Sequence, residues 1–322
     1  IQVNIIYPCK SSRFSGARRT YTQEMRSWKQ SIHDGKLHVQ RMMQTTNPKY
    51  WHQCCKKTSK EDIPTLIKDS QKIADDAGKA ETLNVEFTSK ARNTPQTLYP
   101  IIPARTNRIL EDIDFSTAAV REILKELDVS NSPGPDGIQN QVLKECASSL
   151  SEPLSFMFSL SYRTGKLPKE WKKARVVPVY KNKGSRCDPA QYRPISLTSS
   201  VGKIMEKLVN KVFLQHLIEN SLISAHQFGF LPKHSTTDEL VLLLHELHSA
   251  MNEKQKVIAS FLDLASAFDM VPHSGILHKL PAYGIRGYAF RWITDFLKDR
   301  QQYVSIQGHC STTLPCSLVC HK

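Results

Sequence analysis

Nothing in this 322-residue chain is long and apolar enough to span a bilayer. The densest apolar patch, Leu240 to Leu244, falls far short of the ~20 residues a membrane helix needs. A mean hydropathy of −0.39 excludes a bundle of such helices. A secretory signal is also missing: the chain opens Ile-Gln-Val-Asn and soon meets charges. It has no initiating Met, so it reads as a piece of a longer open reading frame. Cysteine is present but unorganised. The eight (Cys9, Cys54, Cys55, Cys146, Cys187, Cys310, Cys316 and Cys320) show no disulfide-framework spacing. Cys310-x5-Cys316-x3-Cys320-His321 matches no common zinc spacing, and reduced thiols in an intracellular protein are the expectation. No internal repeat is visible.

Acidic residues are the scarce charge. Thirty Asp and Glu face 44 Lys and Arg, a formal net charge of +14, with a pI near 9.4. The excess is concentrated. Residues 1–60 hold twelve Lys or Arg against Glu24 and Asp34, and residues 161–190 hold nine against Glu170 and Asp188. Two basic blocks on an otherwise balanced chain have two readings: a polyanion partner, with nucleic acid the leading candidate, or a solvated basic surface.

Along the chain, residues 1–60 are weakly periodic, with short helices expected at 20–32 and 36–46. A clearer helix is predicted from Ala77 to Thr88, where Ala80, Leu83 and Phe87 recur at helical spacing. Pro95, Pro100 and Pro103 punctuate a linker, Thr94–Arg105, the best candidate for a domain boundary. Beyond it, Ser116 can cap a helix carrying Val120, Ile123, Leu124 and Leu127. Ser132-Pro133-Gly134-Pro135-Asp136-Gly137 reads as a rigid turn, with Asp136 placed to cap a helix from about 139 to 163. Residues 174–181 read as a strand, with Pro178 demanding an edge or bulge, and Tyr192–Leu197 as another. Helices follow from Val201 to Ile218 and from about Thr237 to Asn252, the second with a Ser235-x-x-Asp238 capping box and an apolar face of Leu240, Leu243, Leu244, Leu247 and Met251. Next come an apolar run, Val257–Leu262, long enough for one buried strand, a helix from Gly287 to Asp299 and a strand at Gln302–Gln307. Helices first, then strands mixed with helices, predict an α+β fold.

The chemistry centres on Asp263. A carboxylate at the end of a buried strand needs a partner, a cation or a solvent-facing cleft, because burying it unpaired costs several kcal/mol. A metal-binding site supplies all three. Two-metal nucleotidyl transfer needs several carboxylates to hold two cations about 4 Å apart, and one Asp does not suffice. Asp269 reads as a cap or a surface ion-pair residue. Lys181 and Lys183 flank a basic loop, Asn182–Ala190, and Arg193 lies on the following strand. Lys and Arg brought together across a hairpin would clamp phosphate, a point charge beside a bidentate fork; the other reading is a pair of exposed cations.

Five motifs occur in order: Ser132-Pro133-Gly134-Pro135-Asp136-Gly137-Ile138; Tyr192-Arg193-Pro194-Ile195-Ser196-Leu197; Gln227-Phe228-Gly229-Phe230 with Ser235-Thr236-Thr237; Phe261-Leu262-Asp263-Leu264-Ala265-Ser266-Ala267-Phe268-Asp269-Met270-Val271-Pro272-His273; and Tyr283-Gly284-Ile285-Arg286-Gly287. Over roughly 115–309 they closely resemble the reverse transcriptase domain of LINE-type, non-LTR retrotransposons, jockey-like elements among them. The resemblance implies a right-hand polymerase. Residues 1–110 would be a basic, mostly helical linker from an absent endonuclease, 111–256 the fingers, 257–309 the start of the palm and 310–322 a divergent tail. Asp263 matches the first catalytic, metal-binding aspartate, with the Leu264 carbonyl as a further ligand of Mg²⁺. Ser266 and Ala267 match positions whose backbone faces the incoming triphosphate. Phe268 matches the bulky residue that excludes a ribose 2′-hydroxyl; an ordinary core aromatic is its other reading. Lys181, or Lys183 in its place, and Arg193 match the fingers' triphosphate contacts, and Gln227–Phe230 lies near the template path in the family.

The family reaction adds deoxynucleotides to a primer 3′-hydroxyl while copying RNA. The implied partners are an RNA template, a DNA primer and deoxynucleoside triphosphates, with no membrane, in a ribonucleoprotein of nucleus and cytoplasm. Relatives continue into a Pro-Gln-Gly segment and a Phe/Tyr-x-Asp-Asp turn, where this sequence reads Ser311-Thr312-Thr313-Leu314-Pro315-Cys316 and then Ser317 to Lys322. The expectation is a C-terminally truncated palm with at most three strands, inactive alone. The alternative is a non-catalytic RNA-binding remnant of a mobile element.

Overall fold

The computed structural model describes residues 62–89, 99–110, 112–258, 261–263 and 271–316. The helices expected at 20–32 and 36–46 lie outside them. The chain first forms a hairpin of β1 (Leu66–Lys68) and β2 (Gln71–Ile73). Its turn residues Asp69 and Ser70 both take positive φ, the primed geometry that matches strand twist. Helix α1 (Asp76–Ser89) follows the expected periodicity, burying Ala80, Leu83, Asn84 and Phe87 on one side. Next come α2 (Thr117–Lys125), α3 (Asn140–Glu145) and α4 (Ala147–Thr164). Strands β3 (Lys173–Tyr180) and β4 (Tyr192–Leu197) precede α5 (Ser200–Glu219) and α6 (Thr236–Asn252). The rest comprises α7 (His273–Lys279), α8 (Gly287–Leu297), β5 (Gln301–Ile306), β6 (His309–Cys310) and β7 (Leu314–Pro315). The fold is α+β, with seven strands in its described part.

Two compact units divide the chain: residues 1–62 with 114–160, and residues 63–113 with 161–322. The described part of the first is helical. Ser116 caps α2 as predicted, its hydroxyl accepting the Ala119 N–H at 3.3 Å. Val120, Ile123 and Leu124 are buried, as are Leu143, Leu150, Leu154 and Phe158. Phe158 meets Phe115 edge-on, with ring centroids 6.3 Å apart. The single helix expected over 139–163 is two. Cys146 leaves the helical basin (φ −90°, ψ 16°), ends α3, and its carbonyl accepts from Ser149 and Leu150 at the start of α4. Nor does Asp136 cap a helix: it accepts the Ile138 N–H at 3.1 Å and closes the Pro-Gly-Pro turn locally.

The second unit is built on a mixed sheet of order β4-β3-β5-β6, with β7 also on β5. β3 pairs antiparallel with β4 and parallel with β5. Side chains alternate, so Val176, Tyr192, Val304 and Ile306 share one face and pack with Leu66, Ala80, Leu83 and Phe87 in the core. Two buried amides fix α1 over β5: Gln302 donates to Asn84 Oδ1 at 3.1 Å, and Asn84 donates to the Thr312 carbonyl at 2.8 Å. Thr312 in turn donates to both Glu81 carboxylate oxygens. The segment 309–316 is thus part of the sheet and its packing, with Cys316 buried and its N–H on the Arg300 carbonyl.

Pro178 shows how an interior strand tolerates proline. Lys181 N–H donates to Gln191 at 2.9 Å, so alternation makes Val179–Arg193 a bonded pair and Pro178–Pro194 a non-bonded one. Neither ring is asked for the N–H it lacks. On its other edge, β3 is paired to β5 only as far as Val176.

One expected strand is not formed by its described residues. Residues 255–258 and 261–263 form no strand, and Val257, Ile258, Phe261 and Leu262 are exposed, Leu262 at 95%. A buried strand needs neighbours for its N–H and C=O groups, and among the described residues no strand pairs with this run.

Candidate functional site

The β3–β4 hairpin carries the predicted cations. Val179 lies opposite Arg193 and Tyr180 opposite Tyr192. Lys181 follows one residue on, opposite Gln191. Residues two apart on a strand share a face, so Lys181 and Arg193 are diagonal neighbours on one side of the hairpin, about 7–8 Å apart at the backbone. That side faces solvent: Arg193 is exposed and Val179 is 46% exposed. Tyr180 and Tyr192 point the other way, their rings 5.8 Å apart, with Tyr192 buried in the core.

The loop between the strands is held by its own bonds. Tyr180 donates its hydroxyl to Gly184, Tyr192 to Arg186, and Asp188 accepts from the Ala190 N–H and the Gln191 side-chain amide at 2.9 Å each. The Arg186 guanidinium sits 5.5 Å from the centre of the Tyr180 ring. Gly184 takes φ +71°, and a Cβ there would come within 3.0 Å of Gln191, so the fold-back suits glycine. Lys181 Nζ donates to the Ala190 carbonyl at 2.6 Å, which ties the ammonium to the loop. Lys183 is exposed within the loop.

Asp263 is exposed between Leu262 and residues that are not described, with no hydrogen-bond or ion-pair partner among the described residues. Leu264, Ser266, Ala267 and Phe268 lie outside the described residues. Among the described residues no three His, Cys, Asp or Glu side chains come together as ligands for an ion. One exposed carboxylate is too few to hold a divalent cation, so the described set does not by itself fit the metal that the family motif implies.

The third motif forms a turn: Phe228 meets His234 edge-on at 5.5 Å, and Phe230 takes φ +63° with its ring exposed. The fifth has a sharp steric cause. Gly284 takes φ +79°, and a Cβ there would stand 2.1 Å from the Arg108 carbonyl. The described part of the proline-rich linker does not hang free. Arg105 N–H donates to Ala282, and Leu110 N–H to Gly284 itself.

The sequence matches the reverse transcriptase (RNA-dependent DNA polymerase) family over residues 179–321. It is 30% identical over 239 residues to a probable RNA-directed DNA polymerase from transposon BS of Drosophila melanogaster, covering 72% of this chain and 24% of that protein. It is also 30% identical over 196 residues to the RNA-directed DNA polymerase from mobile element jockey of the same fly, covering 61% of this chain and 21% of the relative. A Pol polyprotein from a type-1 retrotransposable element R1 of Bradysia coprophila is 28% identical over 196 residues, 61% of this chain and 19% of its own length. The chain carries a LINE-type reverse transcriptase domain. It spans about a fifth to a quarter of the length of these relatives.

Within this reverse transcriptase domain, two residues escaped the sequence reading. Arg175 and Tyr303 are register partners across β3 and β5, on the same face as Lys181 and Arg193. The period-two spacing Lys173, Arg175, Val177, Val179, Lys181 was the available signal for the first; nothing local marks Tyr303 as its neighbour. Behind β3, Asp295 anchors the chain's entry into the strand, bonding Lys172 Nζ at 2.9 Å and the Leu167 N–H at 2.8 Å.

Proposed function

We propose that this domain is the fingers and the first part of the palm of a right-hand polymerase that copies RNA into DNA. Its partners in this reading are an RNA template, a DNA primer and deoxynucleoside triphosphates. The observation that carries it is the diagonal pair Lys181 and Arg193 on the solvent face of a hairpin whose loop is fixed by its own hydrogen bonds. An ammonium held at the Ala190 carbonyl beside an exposed guanidinium fork offers a triphosphate a point charge and a bidentate donor, with only the Arg193 side chain left to order.

Asp263 serves as one carboxylate ligand of Mg²⁺, with the Leu264 carbonyl beside it. Reverse transcriptases as a family use divalent ions, but the reading rests on the clamp, because the described residues do not complete an ion site. Ser266 and Ala267 offer backbone to the nucleotide, and Phe268 excludes the 2′-hydroxyl by bulk.

The test is equilibrium binding of dTTP to the purified chain by titration calorimetry. Arg193→Ala and Lys181→Ala should each weaken it about tenfold or more, the worth of one charge-assisted hydrogen bond. Unchanged affinity in both variants would sink the clamp.

A further inference from the structure

The hairpin cations stand at one end of a larger surface. Register across three strands places Lys173, Arg175, Val177 and Val179 of β3, Arg193, Ile195 and Leu197 of β4, and Gln301, Tyr303 and Ser305 of β5 on one face, opposite the α1-covered core. Each of these residues is exposed or half-buried, whereas Ala174, Val176, Gln302, Val304 and Ile306 on the other face are buried. One transverse row reads Leu197, Arg175, Tyr303, because Arg175 is the register partner of both. Burial pushes the Tyr303 phenol up despite the opposing influence of Arg175, so its hydroxyl is a neutral donor at physiological pH.

The spacing separates this row from the triphosphate clamp. Arg175 lies four residues from Val179, the partner of Arg193, and six from Lys181, about 13 and 20 Å along the strand. One triphosphate does not bridge such distances, and the side chains between, Val177 and Ile195, are apolar. A stacked strand rising about 3.4 Å per nucleotide covers 13–20 Å with roughly four to six nucleotides. Cations at both ends, an apolar floor and an aromatic ring suit a polyanion that carries flat bases.

We infer that the open face of the sheet is a track for single-stranded RNA, with Arg175 on a phosphate and Tyr303 against a base or its sugar, several nucleotides from the Lys181–Arg193 clamp. The inference rests on the polymerase reading, in which the strand is the template, and it adds two residues that position that strand. Arg175 binds through charge, so its loss lowers the salt dependence; Tyr303 binds through its ring, so its loss does not.

The experiment measures binding of a fluorescent twelve-nucleotide oligouridylate to the purified full chain by anisotropy at several salt concentrations, with dTTP titrated separately. Arg175→Gln should weaken RNA binding about tenfold and reduce the logarithmic salt slope by about 1, and Arg175→Lys should restore the slope. Tyr303→Leu should weaken RNA binding about tenfold with the slope unchanged, and Tyr303→Phe should retain most of the affinity. Both losses should leave dTTP affinity at the wild-type value. Thermal unfolding within a few degrees of wild type confirms that the variants fold. RNA affinity unchanged in Arg175→Gln and Tyr303→Leu overturns the track while leaving the clamp standing. Parallel loss of RNA and dTTP in either variant overturns the separation of the two sites. Failure of the clamp variants to weaken dTTP, with RNA binding lost as stated, overturns the triphosphate reading alone.

Discussion

Gln302 on β5 donates a hydrogen bond to Asn84 on α1 inside the core, 218 residues away along the chain. Both side chains are buried, and Asn84 passes the chain of bonds on to the Thr312 carbonyl. Replacing Asn84 by Ala strands the Gln302 amide and that carbonyl together. Each unsatisfied buried group costs about 1–3 kcal/mol. Asn84→Ala should therefore lower the urea midpoint by the equivalent of about 2–4 kcal/mol. A double-mutant cycle with Gln302→Leu should recover part of the loss, since removing both partners leaves fewer groups unpaired. Additive losses would mean that the two amides do not act as a pair.

Gly284 makes a second structural prediction. Its φ of +79° disfavours any side chain, and its Cβ would overlap the Arg108 carbonyl at 2.1 Å. Left-handed backbone costs about 1–2 kcal/mol for a residue with a Cβ, and the overlap adds to this. Gly284→Ala should cost at least about 2 kcal/mol, whereas Gly229→Ala, with open space around its Cβ and no positive φ, should be near neutral. Differential scanning calorimetry of the two variants checks both. Equal melting temperatures would show that the linker segment at 105–110 yields to accommodate a methyl group.

Much of this was legible in the sequence because the signals are local. The Ser116 cap, the Ser235–Asp238 capping box and the periodicity of Ala80, Leu83 and Phe87 each set a short element through neighbours within one turn. The two strands flanking the basic loop were equally plain, and with them the meeting of Lys181 and Arg193. What stayed hidden depends on partners distant in the chain. Val257–Leu262 has the composition of a buried strand, yet composition names no neighbour, and the described part of the run stands exposed. Asp136 had the right residue type and position for a helix cap, but the turn it sits in uses its oxygen first. The parallel pairing that sets Tyr303 beside Arg175 joins positions 128 residues apart, with no local trace in either segment.

Stability should respond to pH through two groups that face Arg300. Burial raises the Glu206 carboxyl, and the charges of Arg300 and Lys203 pull it back only in part. A carboxyl raised by folding contributes stability that is full below its unfolded value, about 4.3, and is lost as pH rises through the folded one. His273 is lowered, first by burial and then by the like charge of Arg300, with its bond to the Leu297 backbone opposing. A lowered imidazole contributes stability that is present above about 6.5 and is lost as pH falls through the folded value. Relative to wild type, Glu206→Gln should gain stability as pH rises above about 4.3. His273→Asn should gain it in the opposite direction, as pH falls below about 6.5. Urea midpoints from about pH 4 to pH 8 check both signs, and variants that track wild type at every pH would remove burial as the shared cause.

Helix α6 sets burial against exposure most directly. Its capping box is complete, yet none of its residues is buried: Leu244 is 63% exposed, and Leu240, Val241 and Met251 are similar. An apolar side chain stabilises the fold only by the area it removes from water, so these residues contribute little. The double variant Leu240→Lys, Leu244→Glu should change the urea midpoint by no more than about 0.5 kcal/mol, the range of ordinary surface substitutions. Leu83→Ala, at a fully buried position in the α1 core, should cost about 3 kcal/mol in the same assay. Contiguous exposed apolar surface promotes association, so static light scattering should also show less self-association in the α6 variant than in wild type. A large loss of stability in that variant would mean that the Leu240–Leu244 face is covered when the chain is in solution.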